Sequence, residues 1–251
     1  MEQPIGINNF IFSTLCVCFK STDNVYLPKN QGSTLRGAFG RALETIACRI
    51  HSKNCNECFL LEDCSYYQYF SRVDTRTNES APVNPNAKEP APVRPYIIEP
   101  QPAVSEMIRP GEEIAFYFTI IGRSIDHYKE FLSAFEEMGR RGLGRGRGRC
   151  HLDAVYTLIK GDDFQPVYLK TNGRKKISNR PYRQSWEEIN EHPDAEVNTI
   201  RAKFLTPLRL TDNNHLIDRA PFHVLIHRLI KRIEDLDKEY CGGGLRAILL
   251  T

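Results

Sequence analysis

Residues 139–150 read GRRGLGRGRGRC, so Arg140, Arg141, Arg145, Arg147 and Arg149 crowd one short span among five glycines. Guanidinium forks and backbone N–H groups freed by glycine are the groups that phosphate oxygens bind. The plain alternative is a solvated turn whose arginines bind nothing. A second basic run holds Arg174, Lys175, Lys176, Arg180 and Arg183, with Tyr182 and Trp186 as rings on which bases can stack. A third chemistry is offered by Cys48, Cys55, Cys58 and Cys64. A C-x-x-C knuckle flanked by one cysteine on each side suits a tetrahedral, closed zinc site, structural rather than catalytic. The alternative is a set of unrelated reduced thiols. His223 and His227 stand at i, i+4, but they flank an apolar stripe with no third ligand near in sequence, which reads as a solvated helix edge.

The chain must be able to fix such groups in place. Its 251 residues, 41% of them hydrophobic, allow one large domain or two small ones with real cores. A formal net charge of +3 does not announce a polyanionic partner, so the local clustering carries the argument. The apolar start FIFSTLCVCF lacks a preceding basic region and alternates like a strand, and no apolar run reaches the roughly 20 residues of a membrane helix. These features predict a soluble, cytoplasmic protein with thiols or metal rather than disulfides. Cys16, Cys18 and Cys150 read as core, and Cys241 as exposed.

Residues 9–20 read as a strand. In STLRGAFGRALETIACRI, Leu35, Ala38, Phe39, Ala42, Leu43, Ile46, Ala47 and Ile50 fall on one helical face, with Ser33 or Thr34 as N-cap. Gly37 and Gly40 lie opposite that stripe, each costing about 1 kcal/mol relative to alanine. Either they let a neighbour pack closely, or they leave a face bare for a ligand. The cysteine-rich insertion, 48–70, and a proline-rich loop follow; PYIIEP and EEIAFYFTIIG read as strands. SIDHYKEFLSAFEEMG reads as an amphipathic helix with Ile125, Tyr128, Phe131, Leu132, Phe135 and Met138 inward, and CHLDAVYTLI as a strand. The order β-α-β-β-α-β predicts an α+β, ferredoxin-like (RRM-like) unit over 1–160. The glycine–arginine stretch then joins its second helix to its last strand.

Residues 161–195 read as a polar, basic linker containing a short helix with a capping box at Ser185 and Glu188. EVNTIRAKFLTPLRLT predicts a strand, and APFHVLIHRLIKRIEDLDKEYC a helix burying Phe222, Leu225, Ile226, Leu229, Ile233 and Leu236. Together, 196–251 read as a second ferredoxin-like unit that is incomplete, as in a truncated chain.

LRGAFGRAL, the cysteine set ending in CSYYQYF, RPYIIEP, GLGRGRGR and FLTPLRL occur in that order. In these features the chain resembles the CRISPR-associated precursor-RNA-processing endoribonucleases of the RAMP superfamily, in the branch with a cysteine-rich insertion. The resemblance implies tandem ferredoxin-like domains and binding of CRISPR repeat RNA. It implies metal-free cleavage of precursor transcripts into crRNAs by the 2′-hydroxyl, leaving a 2′,3′-cyclic phosphate and a 5′-hydroxyl. It also implies possible membership of a CRISPR effector complex, in which related RAMP subunits bind RNA without cutting it. The family's second domain ends in a further glycine-rich segment with a lysine, which this sequence lacks.

In such enzymes the site lies beside the first helix of the first domain, where this chain offers Tyr26, Arg36, Arg41, His51 and Lys53. His51, Tyr26 and Lys53 would supply the base, acid and cation of the reaction. His51 follows Cys48 closely, and its other reading is support for the cysteine site. Arg36 reads as a phosphate contact or as a solvated arginine. The implied RNA-binding set is Arg36, Arg41, Arg140, Arg141, Gly144, Arg145, Gly146, Arg147, Arg149, Lys175 and Lys176.

Overall fold

In the computed structural model the described residues are 10–50, 55, 58–60, 63–71, 93–101, 106–177, 179–185, 188, 199–212 and 215–243. The long alternating run near the start forms β1 (Ile11–Ser21), and residues 25–26 form a short β2. Helix α1 (Gly32–Ala47) follows, then β3 (Tyr96–Pro100), the short β4 (Met107–Ile108), β5 (Glu113–Ile121), α2 (Tyr128–Arg141) and β6 (Cys150–Lys160). The strand order β3-β5-β1-β6 is antiparallel throughout, with α1 crossing from β1 to β3 and α2 from β5 to β6. This is the split βαββαβ arrangement of the ferredoxin-like fold.

Period-two burial explains why these segments are strands. Leu15, Val17 and Phe19 of β1 and Ile114, Phe116, Phe118 and Ile120 of β5 point to one face and are buried. The helices cover that face. Phe39 of α1 packs 4.9 Å from Phe118 and 5.6 Å from Phe135 of α2, ring centroid to centroid. All six α2-side residues expected inward, from Ile125 to Met138, are buried. Residues 122–127, Ile125 among them, form a 3₁₀ turn before α2 proper.

Three expectations are revised. Helix α1 starts at Gly32 with Gln31 as N-cap and no side-chain cap bond, so Ser33 and Thr34 sit inside the first turn. The stretch read as a linker contributes β7 (Asp163–Thr171) and β8 (Arg174–Ile177), which extend the same sheet beyond β6, and β9 (Gln184–Ser185), which pairs with the start of β1. Ser185 Oγ does accept from the Glu188 amide, at 3.4 Å.

The strand expected across 196–211 is confined to β10 (Leu210–Asp212), paired only with β11 (His215–Ile217). Without a neighbouring sheet, residues 199–209 have no ladder to join, and Ile200, Phe204, Leu205 and Leu208 stay exposed. Helix α3 (Phe222–Leu236;) forms as predicted, yet Phe222 and Leu229 are exposed and its buried residues are Val224 and Leu236. Its C-terminal end, continued by a π-helical turn over 237–241, docks on the first unit. Tyr240 Oη donates to the carbonyls of Val93, at 3.2 Å, and Gln68, at 3.4 Å. Cys18 and Cys150 are buried as expected, whereas Cys16 and Cys241 are half-buried. No described helix is long and apolar enough to cross a membrane.

Candidate nucleic-acid interface

The glycine–arginine stretch folds as a tight turn against β2. Leu143 and Gly148 exchange backbone hydrogen bonds, N to O at 2.9 Å and 3.1 Å, and Leu143 is fully buried. The Arg145 amide donates to the Tyr26 carbonyl at 3.0 Å, which stitches the turn to β2. Glycine is required at Gly144, where φ is +66° and a Cβ would collide with the Tyr26 carbonyl oxygen. At Gly148 a Cβ would strike the Asn24 carbonyl. The turn is thus fixed by backbone contact, and its arginines are left to point outward.

Local acids engage three of the five. Arg140 forms a two-point pair with Glu137, at 2.6 Å and 2.7 Å, and this bond holds the Glu137 carboxyl below the usual range. Arg141 donates to Thr45 Oγ1 of α1 at 3.0 Å and lies 3.8 Å from Glu137. Asp23 accepts from both the amide and the side chain of Arg149, each at 3.1 Å, which depresses the Asp23 carboxyl. Arg145 and Arg147 are exposed and have no carboxylate partner among the described residues. The Arg145 guanidinium stands 5.8 Å from the Tyr26 ring centroid.

Between this turn and α1 lies a cleft of about 540 Å³, whose lining includes Tyr26, Gly37, Arg41, Glu106, Gly144 and Arg145. Ser33 and Thr34 add first-turn hydroxyls. An open concavity with two guanidinium groups, an exposed phenol, hydroxyls and one carboxylate can bind a phosphodiester, stack a base and exchange protons. Glu106 escapes sequence reasoning. It is a single acid beside a loop, and the pairing of β4 with β2, together with the Leu27 amide bonding to its carbonyl at 2.9 Å, sets it next to Tyr26.

The structure therefore gathers Tyr26, Arg41, Gly144 and Arg145 around one cleft, with Gly146 and Arg147 at the adjacent tip of the turn. Arg36 is exposed on the flank of α1 that carries Gly40, off the cleft lining. Lys175 and Lys176 lie on β8, the last strand of the sheet, and Lys175 Nζ pairs with Glu136 at 2.6 Å. Nearby, Arg183 pairs with Asp126, and Tyr182 Oη donates to Glu188 at 3.2 Å. His51, Lys53 and Trp186 lie outside the described residues.

The cysteines partly converge. Cys48, Cys58 and Cys64 line a single cavity of about 280 Å³ together with Asp63. Among the described residues, however, no three Cys, His, Asp or Glu side chains stand close enough to hold a metal ion. As placed, the four thiols do not make a ligand set.

No curated protein matches the chain. Among solved structures, the chain is similar to a Cas6 product complex at 15% identity and TM-score 0.32, over 73% of this chain and 47% of that one. It therefore spans about half the length of that Cas6 chain. It is similar to a Csm3–Csm4 subcomplex of a type III-A CRISPR–Cas interference complex at 18% identity and TM-score 0.38, over 71% and 92%. A third structure, titled CRISPR associated protein Cas6, gives 14% identity and TM-score 0.31 over 93% and 98%. The family model AF_1859_N, described as an N-terminal domain, matches residues 10–182, from β1 through β8, and the chain belongs to that family.

Proposed function

We propose that this protein is a RAMP-type RNA-binding protein of a CRISPR system, which holds repeat RNA in the cleft between α1 and the glycine–arginine turn and cleaves the precursor transcript there. The observation that carries this reading is the pairing pattern of the turn. Three arginines are engaged by local groups, while Arg145 and Arg147, at its outer tip, have no carboxylate partner among the described residues and stand beside an open cleft. Guanidinium groups carried on a turn whose backbone is braced, and left without a counter-charge, are available to phosphate. The ordered set of motifs shared with precursor-RNA-processing endoribonucleases supplies the substrate class.

In the cleavage reaction the 2′-oxygen attacks the adjacent phosphorus as a base takes its proton. The P–O5′ bond breaks as an acid protonates the leaving oxygen, so the products are a cyclic phosphate and a 5′-hydroxyl. Arg145 and Arg41 would neutralise the phosphorane, and Tyr26 is placed to protonate the leaving group. His51 and Lys53 are the proposed base and second cation. Incubating the full chain with labelled repeat RNA in EDTA tests this directly. Cyclic-phosphate ends, abolished by a 2′-deoxy substitution at the scissile position, are the expected result. Tight, salt-sensitive binding without cutting would reassign the protein to the non-catalytic RAMP subunits, and the absence of both would remove the RNA reading.

A structural zinc held by Cys48, Cys55, Cys58 and Cys64 belongs to the same proposal. Three of these thiols share a cavity, and zinc would draw the set together. Elemental analysis should find about one zinc per chain, lost in Cys55→Ser plus Cys58→Ser. A metal-free protein whose unfolding midpoint ignores the double substitution would dispose of it.

A further inference from the structure

A second group of arginines gathers away from the glycine–arginine turn. Arg36 lies one turn before Gly40 and shares its flank of α1, where the Phe70 ring packs against Gly40. Arg94, on the approach to β3, locks onto the same ring. Its Nε donates to the Phe70 carbonyl at 3.1 Å, and its guanidinium stands 5.7 Å from the ring centroid. Arg232 comes from α3, whose continuation is tied beside Arg94 by the Tyr240 hydroxyl on the Val93 carbonyl. The three cations come from three separate segments, and Arg232 lies within electrostatic reach of Arg36 and Arg94.

Their surroundings are poor in counter-charge. Desolvation and then the neighbouring Arg36 hold the Arg94 guanidinium below its ordinary basicity. Desolvation, Arg36 and Arg94, in that order, do the same to Arg232, although the surface of Arg232 stays open to solvent. No ion pair joins any of the three to a carboxylate among the described residues. Below them sits Tyr96, 5% exposed, its ring wedged 5.3 Å from Phe39 and 5.2 Å from Phe118. The Tyr96 hydroxyl is buried with no well-formed hydrogen bond among the described residues, Arg36 being the side chain within reach of it. Burial pushes that phenol up, and Arg36 and Arg94 draw it back, which places its oxygen in the field of the cations. A buried hydroxyl and three like charges are each unfavourable alone, and one multivalent anion would relieve both.

We propose that Arg36, Arg94, Arg232 and the Tyr96 hydroxyl form a phosphate-binding site on the Gly40 flank of α1, distinct from the cleft beside the turn. Its ligand chemistry is a phosphate oxygen pair, carried by an RNA backbone or by free phosphate. The site does not depend on RNA occupying the cleft.

Two measurements on the full chain test it: thermal unfolding in sodium phosphate against chloride at equal ionic strength, and fluorescence anisotropy with single-stranded RNA. Arg36→Gln and Arg232→Gln, each confirmed as folded by circular dichroism, should weaken the ligand about tenfold. Tyr96→Phe keeps the ring packing and removes only the hydroxyl. It should lower affinity while leaving the ligand-free midpoint equal or higher, which a purely structural tyrosine would not do. If the loss is in RNA affinity, with a salt slope shallower by about 0.7, the occupant is a backbone phosphate. If phosphate raises the wild-type midpoint but not that of Arg232→Gln, with RNA affinity unchanged, the occupant is free phosphate. Folded variants that match the wild type in both assays overturn the site, whatever Arg145→Ala does to RNA binding in the cleft.

Discussion

Gly37 and Gly40 stand three residues apart on α1 and meet opposite surroundings. Gly40 is buried, and a Cβ there would run into the Phe70 ring, so this glycine exists for packing. Gly37 has only Arg41 Nη1 near its Cβ position, at 3.5 Å, and lines the cleft beside the turn. The turn repeats the contrast. Gly144 is pressed against a backbone carbonyl, whereas Gly146 has nothing within 4 Å of its Cβ position. A glycine in a sequence announces a gap, and the distant segment that fills the gap, or fails to, decides between structure and ligand. Of these four, the closed glycines hold the frame and the open ones border the proposed RNA path.

The largest effect should come from forcing a side chain into the closed half of the turn. Gly144→Ala needs φ near +66° and a Cβ inside the Tyr26 carbonyl contact, so we expect a loss of roughly 2–4 kcal/mol in unfolding free energy. Gly146→Ala carries only its positive φ and should cost about 1–2 kcal/mol. Denaturant unfolding of the two variants compares them directly. Equal losses would mean that the turn is not braced on β2.

Arg145→Ala with Arg147→Ala addresses the outward half. The pair should leave the unfolding midpoint within a few degrees of wild type, because both side chains are exposed and, among the described residues, make no ion pair, the exposed contact of Arg145 with the Tyr26 ring being the one interaction lost. It should weaken RNA binding and lower the salt slope by about 1.4, at roughly 0.7 per phosphate. An unchanged slope would return the turn to a purely structural part.

On α1, Gly40→Ala should destabilise by about 1–2 kcal/mol, since the Phe70 ring must shift and this outweighs the helix-propensity gain. Gly37→Ala should stabilise by up to about 1 kcal/mol and reduce RNA affinity through its methyl in the cleft. If both alanines stabilise the protein alike, the asymmetry of the two flanks disappears.

What could be read in advance follows from where the physics is local. The split βαββαβ order and the buried stripe of α2 were legible because period-two and helical periodicities carry over when a partner layer exists. The turn between α2 and β6 was legible as bracketed and tight. Strands β7 and β8 were not: DFQPVYLKT and RKKI are the last two strands of the sheet, where β7 buries only Val167 and Tyr168 and β8 is exposed throughout, so the hydrophobic signal is weak. The strand expected at 196–211 failed for the converse reason, an adequate pattern with no sheet beside it. The apolar stripe of α3 was read correctly as helical, but Phe222 and Leu229 stay exposed. Around the cleft, Arg145 stood out by residue type and Tyr26 by the family resemblance, whereas Glu106, like Arg94 and Arg232 on the other flank of α1, comes from a distant segment and carries no local signature.

The smallest expected effect concerns the ion pair at the inner end of the turn. Asp23 accepts from the Arg149 amide and side chain, and these bonds set its folded pKa below the ordinary aspartate value. The sign follows from linkage: the carboxylate form is favoured by folding, so the contribution is complete above the ordinary value and fades as pH falls through the depressed one. Because the pair is exposed, salt screens it and the effect on global stability should be slight. Its local consequence is larger, since the same carboxylate fastens the amide where the turn enters β6. Protection of the Arg149 amide against hydrogen exchange, taken relative to its intrinsic rate at each pH, should fall in acid and, at neutral pH, in Asp23→Asn, while the Arg145 amide, bonded to a carbonyl, should not respond. If the two amides lose protection together, the turn opens as one unit, and its closed and open halves are not separately fixed.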